Sequence, residues 1–248
     1  MKLRLDKLLL DRKLAQSRER AQALILAGRV LVNEQKIEKP GVSVADDAEI
    51  RLLGEDLRYV SRGGLKLERA LQHWSIDLRS KTCLDIGAST GGFTDCMLQH
   101  GASIVIAVDT GYGQINAQLR QDHRVELLER TNARYLKPEQ LSVRIEFFAM
   151  DVSFISATLV LPAVIAAIRA KTGPADFENV VLVKPQFEAG REAIGKGGIV
   201  RDEKAQMGAL ARVKETVAQL GGSDIESIES PILGAEGNRE FLLHSRFI

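Results

Sequence analysis

The 248-residue chain is short of cysteine, with two, of proline, with six, and of tryptophan, with one. Cys83 and Cys96 lack CxxC spacing, and two thiols make no disulfide framework. That excludes a disulfide-stapled module and makes a reducing cytoplasm the expected compartment. Long apolar runs are missing as well. The longest, 157–168, is interrupted by Thr158 and Pro162 and falls short of the roughly 20 residues of a membrane span, so no membrane role is expected. The N-terminus is charged from Lys2 onward and lacks the apolar core of a signal peptide. There are no internal repeats, low-complexity tracts or metal-ligand spacings, and the net charge is only +1.

That near-neutral total hides an asymmetry. Residues 1–36 hold nine Lys/Arg against four Asp/Glu, whereas 37–60 hold three against six. A basic N-terminal patch on a balanced body suits a polyanion. Its first helix carries Leu5, Leu8, Leu9 and Leu14 between basic residues. Ser17 is placed to cap a second helix, "RERAQALILAG", which Gly28 closes in a left-handed conformation. "RVLVN", a polar turn and "EIRLL" complete a unit too small to bury much surface alone. The stretch "RLDKLLLDRKLAQSRERAQALILAGRVLVN" resembles the S4-type RNA-binding domain over residues 1–60. The resemblance implies two helices presenting basic side chains to structured RNA by shape and phosphate contacts. Arg4, Lys7, Arg12, Arg18 and Arg20 are the expected RNA-binding residues, and the apolar matches are expected core.

From residue 82 strand-like and helix-like segments alternate. "TCLDIG", "SIVIAVD", "VELLE", "IEFFAMD" and "VVLVK" read as five strands with helical stretches between them, clearest at 156–170 and 202–220. This predicts an α/β, Rossmann-like, mostly parallel doubly wound sheet of seven strands over 61–248, beside a small α+β N-terminal domain. "DIESIES" and "EFLLHSRF" are the expected antiparallel pair, and 54–64 the expected linker.

"CLDIGASTGGFTD" is a strand, a glycine-rich turn and a helix start. Glycines 87, 91 and 92 let backbone approach a ligand, and the acid ending the next strand, Asp109, can accept two ribose hydroxyls. Together they point to a nucleoside cofactor. The spacing is not GxGxxG, which argues against a dinucleotide. It resembles the first motif of class I methyltransferases, and so implies S-adenosylmethionine held by Asp85, Gly87, Ser89, Thr90, Gly91, Gly92, Phe93, Asp109, Asn132 and Asp151. Asn132 reads equally well as a loop cap.

"VVLVKPQFEAG" ends a buried-looking strand in Lys184. In a parallel sheet, ligands sit beyond the carboxyl ends of the strands. Asp151 ends strand four there, and Glu240 opens an antiparallel last strand on the same rim. Lys66 stands in the first turn of a helix after Gly63-Gly64, a position the helix dipole disfavours, so a partner is expected. Lys66, Asp151, Lys184 and Glu240 resemble the tetrad of ribose 2′-O-methyltransferases. With "YVSRGGLKLERAL", "DVSFIS", "LVKPQFEAGR" and "EGNREFL", nearly the whole chain resembles the TlyA family, which joins an S4-type domain to an FtsJ-like methyltransferase. Thr90 stands where many relatives have proline.

The resemblance implies methylation of a ribose hydroxyl in ribosomal RNA, with cytidine as target, and ribosomal subunits as partner. Lys184 is the expected base, Lys66 an orienting partner, and the two carboxylates hold the amine and the ribose. Only about one free lysine in a thousand is neutral at pH 7.4. Burial and a second amine favour the neutral form and the carboxylates the charged one, a balance the sequence leaves open. Rival readings are a structural salt-bridge cluster, an NAD-dependent oxidoreductase, a pore-forming haemolysin (a label carried in this family) and an RNA-binding scaffold with an inactive methyltransferase fold.

Overall fold

The computed structural model describes residues 2–15, 17–53, 58–173 and 176–248. The chain divides into two compact units, Met1–Asp56 and Leu57–Ile248. Residues 54–57 of the expected linker lie outside the described residues.

In the first unit, β1 (Lys2–Arg4) leads into α1 (Leu5–Asp11) and α2 (Arg18–Leu26). Three short strands, β2 (Val30–Val32), β3 (Gln35–Ile37) and β5 (Ile50–Leu52), form an antiparallel sheet in the order β3-β2-β5. The fourth, β4 (Ser43–Ala45), pairs with β1. Ser17 accepts a hydrogen bond from the Arg20 amide at the start of α2, and Gly28 follows α2 at φ +65°. Leu5, Leu8, Leu9, Ala21, Leu24 and Ile25 bury one face of each helix against Val30 and Val32. The unit's polar anchor is Asp6, which is fully buried in α1.

In the second unit, α3 (Gly63–His73) precedes β6 (Thr82–Ile86), α4 (Gly92–Gln99), β7 (Ile104–Val108), α5 (Ala117–Gln121) and β8 (Val125–Leu128). Then come β9 (Phe147–Met150), α6 (Ala157–Thr172), β10 (Phe177–Val183), α7 (Pro185–Glu188), α8 (Glu203–Gln219), β11 (Ser223–Glu229) and β12 (Phe241–Phe247). The seven-stranded sheet runs β11-β12-β10-β9-β6-β7-β8. Strands β6 to β10 are parallel, and β12 lies antiparallel between β10 and β11. This is the expected sheet.

One connection differs from expectation. Between β8 and β9 there is no α-helix, only the 3-10 turns Ala133–Tyr135 and Pro138–Gln140. Pro138 drives its predecessor Lys137 into an extended conformation, φ −112° and ψ 149°, which stops a helix from propagating. Apolar cores lie on both faces of the sheet. One gathers Leu84, Phe148, Val181 and Leu243 with α6 and α8, and the other gathers Cys83, Phe147, Val180 and Leu242 with α3 and α4. Strands buried on both sides are what a parallel sheet requires. Among the described residues no helix is long and apolar enough to cross a membrane.

The order of the strands places the site. The chain moves outward from β6 to β7 and β8, then returns to β9 on the other side of β6. The crevice at the carboxyl ends of β6 and β9 is therefore the natural ligand position.

Removing the Asp6 carboxylate as Asp6→Ala should lower hydrogen-exchange protection across residues 2–53 of the full chain by about 2 kcal/mol, with residues 58–248 unaffected. Unchanged protection in the first unit would contradict the anchoring role.

Candidate active site

The glycine-rich turn follows β6 directly. Gly87, at φ +86°, packs so tightly on the Asp151 backbone carbonyl that a Cβ would overlap it. The Asp151 amide in turn donates to the Ile86 carbonyl at 2.8 Å. Gly91, at φ +96°, caps α4, and Gly92 leaves room for Ser61 and the start of α3. The turn thus lies between the ends of β6 and β9, its Gly87 and Ala88 amides donating to the Val108 carbonyl and its Gly91 amide to that of Ala88.

Two cavities meet over this turn, sharing Gly87, Ser89 and Asp151. One, of about 340 Å³, is lined further by Asp109, Asn132, Val152, Ser153 and Phe154. The other, of about 270 Å³, is lined by Ser61, Arg62, Lys66, Thr90, Gly92, Phe93 and the 232–234 segment. Asp109 accepts the Ser89 amide at 2.8 Å and the Gly111 amide at 2.7 Å, one on each carboxylate oxygen. Both oxygens keep a lone pair for further donors. Asn132 takes the loop-cap reading in the fold. Its Oδ1 accepts from the Arg134 amide at 3.0 Å, capping the 3-10 turn, while the residue lines the larger cavity.

Asp85 departs from expectation. It is fully buried, lines neither cavity, and accepts the Thr94 hydroxyl at 2.6 Å. Its side chain points into the sheet–α4 interface, where it braces the turn from behind. Burial, and then the carboxylates of Asp151 and Asp109, push its pKa up to about 7.

The four residues of the expected tetrad arrive as two lysine–carboxylate pairs. Lys184 Nζ lies 2.5 Å from Asp151 Oδ1 and donates to Ser153 Oγ at 2.8 Å. Lys66 Nζ lies 2.5 Å from Glu240 Oε2, and both side chains are almost fully buried. Glu240 is therefore the partner that Lys66 needs in the first turn of α3. The register Val183↔Phe241 brings Glu240, one residue before β12, to the rim where β10 ends in Lys184. Lys66 and Asp151 line the same cavity.

Neighbours of these groups went unpredicted. Ser153 and Phe154 follow Asp151 inside "DVSFIS". Phe154 is 93% exposed, holds φ +64°, and rests on Phe187 at 5.4 Å between ring centroids. A non-glycine residue at positive φ costs on the order of 1–3 kcal/mol, so its surroundings must hold it there. Arg130 lies over the exposed Tyr112 ring at 4.3 Å. Among the described residues no cluster of three or more His, Cys, Asp or Glu side chains is placed to hold a metal ion.

The basic residues of the first unit separate into kinds. Arg4 and Arg18, both half-exposed, pair with the buried Asp6 at 2.9 and 3.1 Å, and Gln22 adds a third donor at 3.0 Å. These donors, Arg4 foremost, hold the Asp6 carboxyl far below the usual range. Arg12 donates to the carbonyls of Ala48, at 2.6 Å, and Asp46, which makes it a structural brace. Lys7 is exposed and Arg20 half-buried.

Residues 59–247 match the model of the FtsJ-like methyltransferases and residues 3–50 that of the S4 domain. The chain belongs to the TlyA family of FtsJ-like methyltransferases. It is 41% identical to the TlyA 16S/23S rRNA (cytidine-2′-O)-methyltransferase of Mycobacterium tuberculosis, covering 98% of this chain and 89% of that one. It is 49% identical to YqxC of Bacillus subtilis, a candidate rRNA methyltransferase, covering 98% and 85%. The solved structure of a candidate haemolysin from Streptococcus thermophilus shares 44% identity at a TM-score of 0.76, covering 99% of this chain and 88% of that one. Methyl transfer is the reaction class of this TlyA-family chain.

The buried Asp85 keeps its proton in the fold at pH values where the unfolded chain has released it. Its contribution therefore turns unfavourable as pH rises from about 4 to about 7. Asp85→Asn retains an acceptor for Thr94 and removes the titration. Its stability relative to the parent should rise across that window by up to about 4 kcal/mol in denaturant unfolding. A difference that stays constant from pH 4 to 8 would contradict the assignment.

Proposed function

We propose that the chain transfers the methyl group of S-adenosylmethionine to a ribose 2′-hydroxyl, that of a cytidine in ribosomal RNA, with residues 61–248 as catalytic domain and 1–60 as RNA-binding domain. The observation that carries this reading is the pair of lysine–carboxylate contacts at the edge of a crevice floored by the glycine turn. The name of the M. tuberculosis relative supplies the nucleotide and the RNA class. Action on ribosomal subunits makes the cytoplasm the working compartment.

The crevice fits the cofactor. Gly87, Ser89, Thr90 and Gly92 of the turn line its two cavities, Gly91 packs below them against Ile115 and Leu119, and Asp109 is fixed by two amides with lone pairs left for a nucleoside's ribose. Asn132 stands at the same cavity for the base, with Phe93 across the turn and Asp151 between the two cavities. The chemistry that S-adenosylmethionine supplies when bound is a methyl group made electrophilic by a sulfonium centre.

The chain's own residues do the rest. A ribose hydroxyl is a weak nucleophile until its proton has a destination. Lys184, oriented by Asp151 and Ser153, accepts that proton at Nζ from its neutral form. Lys66, its charge balanced by Glu240, stands on the wall of the adjoining cavity and orients the hydroxyl. Breaking a buried pair of this kind by deleting one partner costs about 3–5 kcal/mol, so each lysine and its acid work as a unit. The exposed Phe154 offers an aromatic face on which an unstacked base can rest beside Lys184. Arg4 and Arg18, held half-exposed by Asp6, and Lys7 supply phosphate contacts, with Arg20 and Arg12 supporting the face from α2 and the end of α1.

The test is methyl transfer from labelled S-adenosylmethionine to ribosomal subunits that lack the modification, followed by mapping of the labelled nucleotide. The expected product is a 2′-O-methylcytidine. Lys184→Ala and Lys184→Arg should each lower the rate at least about 100-fold while leaving cofactor binding intact, since arginine keeps the charge and cannot act as a base. Label on a base nitrogen or carbon, or a variant within a few-fold of the parent, would overturn the reading.

A further inference from the structure

The segment 151–157 and the segment 184–188 are joined along their whole length. Lys184 reaches Asp151 and Ser153, the Phe187 ring lies against Phe154, and the Glu188 carboxylate accepts from the Ser156 hydroxyl at 2.5 Å and the Ala157 amide at 2.7 Å. Glu188 lines neither cavity and sits four residues beyond Lys184. On its other side its backbone carbonyl accepts from Arg212 of α8. We infer that Glu188 is a positioning residue: by fixing the end of α7 to the first turn of α6, it sets the register in which Lys184 meets Asp151 and Ser153.

The physical reason lies in α7. It has four residues, Pro185–Glu188, opened by a proline. One helical turn has no stability of its own, so its placement comes from whatever holds its two ends. Lys184 stands at one end on a side chain with four rotatable bonds, and the Glu188 carboxylate, accepting from Ser156 and Ala157, is the anchor at the other. Burial pushes the Glu188 carboxyl above its usual range, while Ser156, Ala157 and Arg212 favour the charged, accepting form. With the anchor gone, α7, which packs on α8, can shift relative to the start of α6 and carry Lys184 away from the geometry that proton transfer needs. A displacement of about 1 Å at a reacting centre costs up to about 100-fold in rate.

This inference rests on the base role of Lys184, and the experiment separates the two. The full-length protein is compared as parent, Lys184→Ala, Glu188→Ala, Glu188→Gln and Ser156→Ala, measuring kcat and KM on unmodified ribosomal subunits, S-adenosylmethionine binding by calorimetry, and thermal unfolding. Glu188→Ala is expected to lower kcat at least about tenfold with cofactor affinity within about twofold of the parent, and Glu188→Gln, which retains one acceptor, to recover part of the loss. Ser156→Ala, which leaves the Ala157 contact in place, should fall between parent and Glu188→Ala. Should Glu188→Ala fail to fold, the glutamine and Ser156 variants carry the comparison. Parent-like kcat in folded Glu188 variants, alongside an inactive Lys184→Ala, would overturn the positioning role alone. So would a joint fall of kcat, cofactor affinity and unfolding temperature without partial rescue by glutamine. An active Lys184→Ala would remove the base itself, and this inference with it.

Discussion

The contact on which the site depends is between Gly87 and the carbonyl of Asp151. Adjacent parallel strands end at the same height, so their exits compete for one volume. A side chain at position 87 would force those exits apart. Glycine lets them close, which brings the cofactor turn and the acid that holds Lys184 onto one floor. The rest of the rim follows from strand order. Lys184 leaves β10 next door, and Glu240 enters β12 opposite it because that strand runs the other way.

Pairing within the tetrad sharpens what each lysine can do. Lys66 and Glu240 are nearly sealed from solvent and neutralise each other, which makes them a fixed dipole at the crevice wall. Lys184 is held by a carboxylate and a hydroxyl, contacts that an incoming ribose hydroxyl can join without leaving a buried charge unpaired. Of the four side chains, Lys66 and Asp151 line the cavities over the glycine turn, and Lys184 and Glu240 join them there through their pairing.

Much of this was legible in the letters. Period-two and continuous apolar runs marked all seven strands, because a sheet covered on both faces demands them. The position of Lys66 in the first turn of α3 announced a missing partner, and Glu240 supplies it. Other features were hidden. Asp85 and Asp109 both close motif-like stretches, yet one faces α4 and the other the crevice, since the side of a strand on which a side chain lies is set by packing. Arg12 and Arg18 look alike in a basic stretch of sequence. Only the fold shows Arg12 bracing carbonyls from 46 and 48 while Arg18 stands half-free on Asp6. The break of helix between β8 and β9 was readable from Lys137-Pro138, a signal the alternating pattern overrode. Phe154 and Glu188 were out of reach, since both draw their meaning from the approach of two segments about thirty residues apart.

The central claim is that Lys66, Asp151, Lys184 and Glu240 surround the site of methyl transfer. A crystal structure of the chain with S-adenosylhomocysteine and a short cytidine-containing RNA tests it most directly. The account predicts the cofactor ribose on Asp109 and the target 2′-oxygen within hydrogen-bond distance of Lys184 Nζ. A bound cofactor with the target hydroxyl beyond reach of both lysines would contradict it.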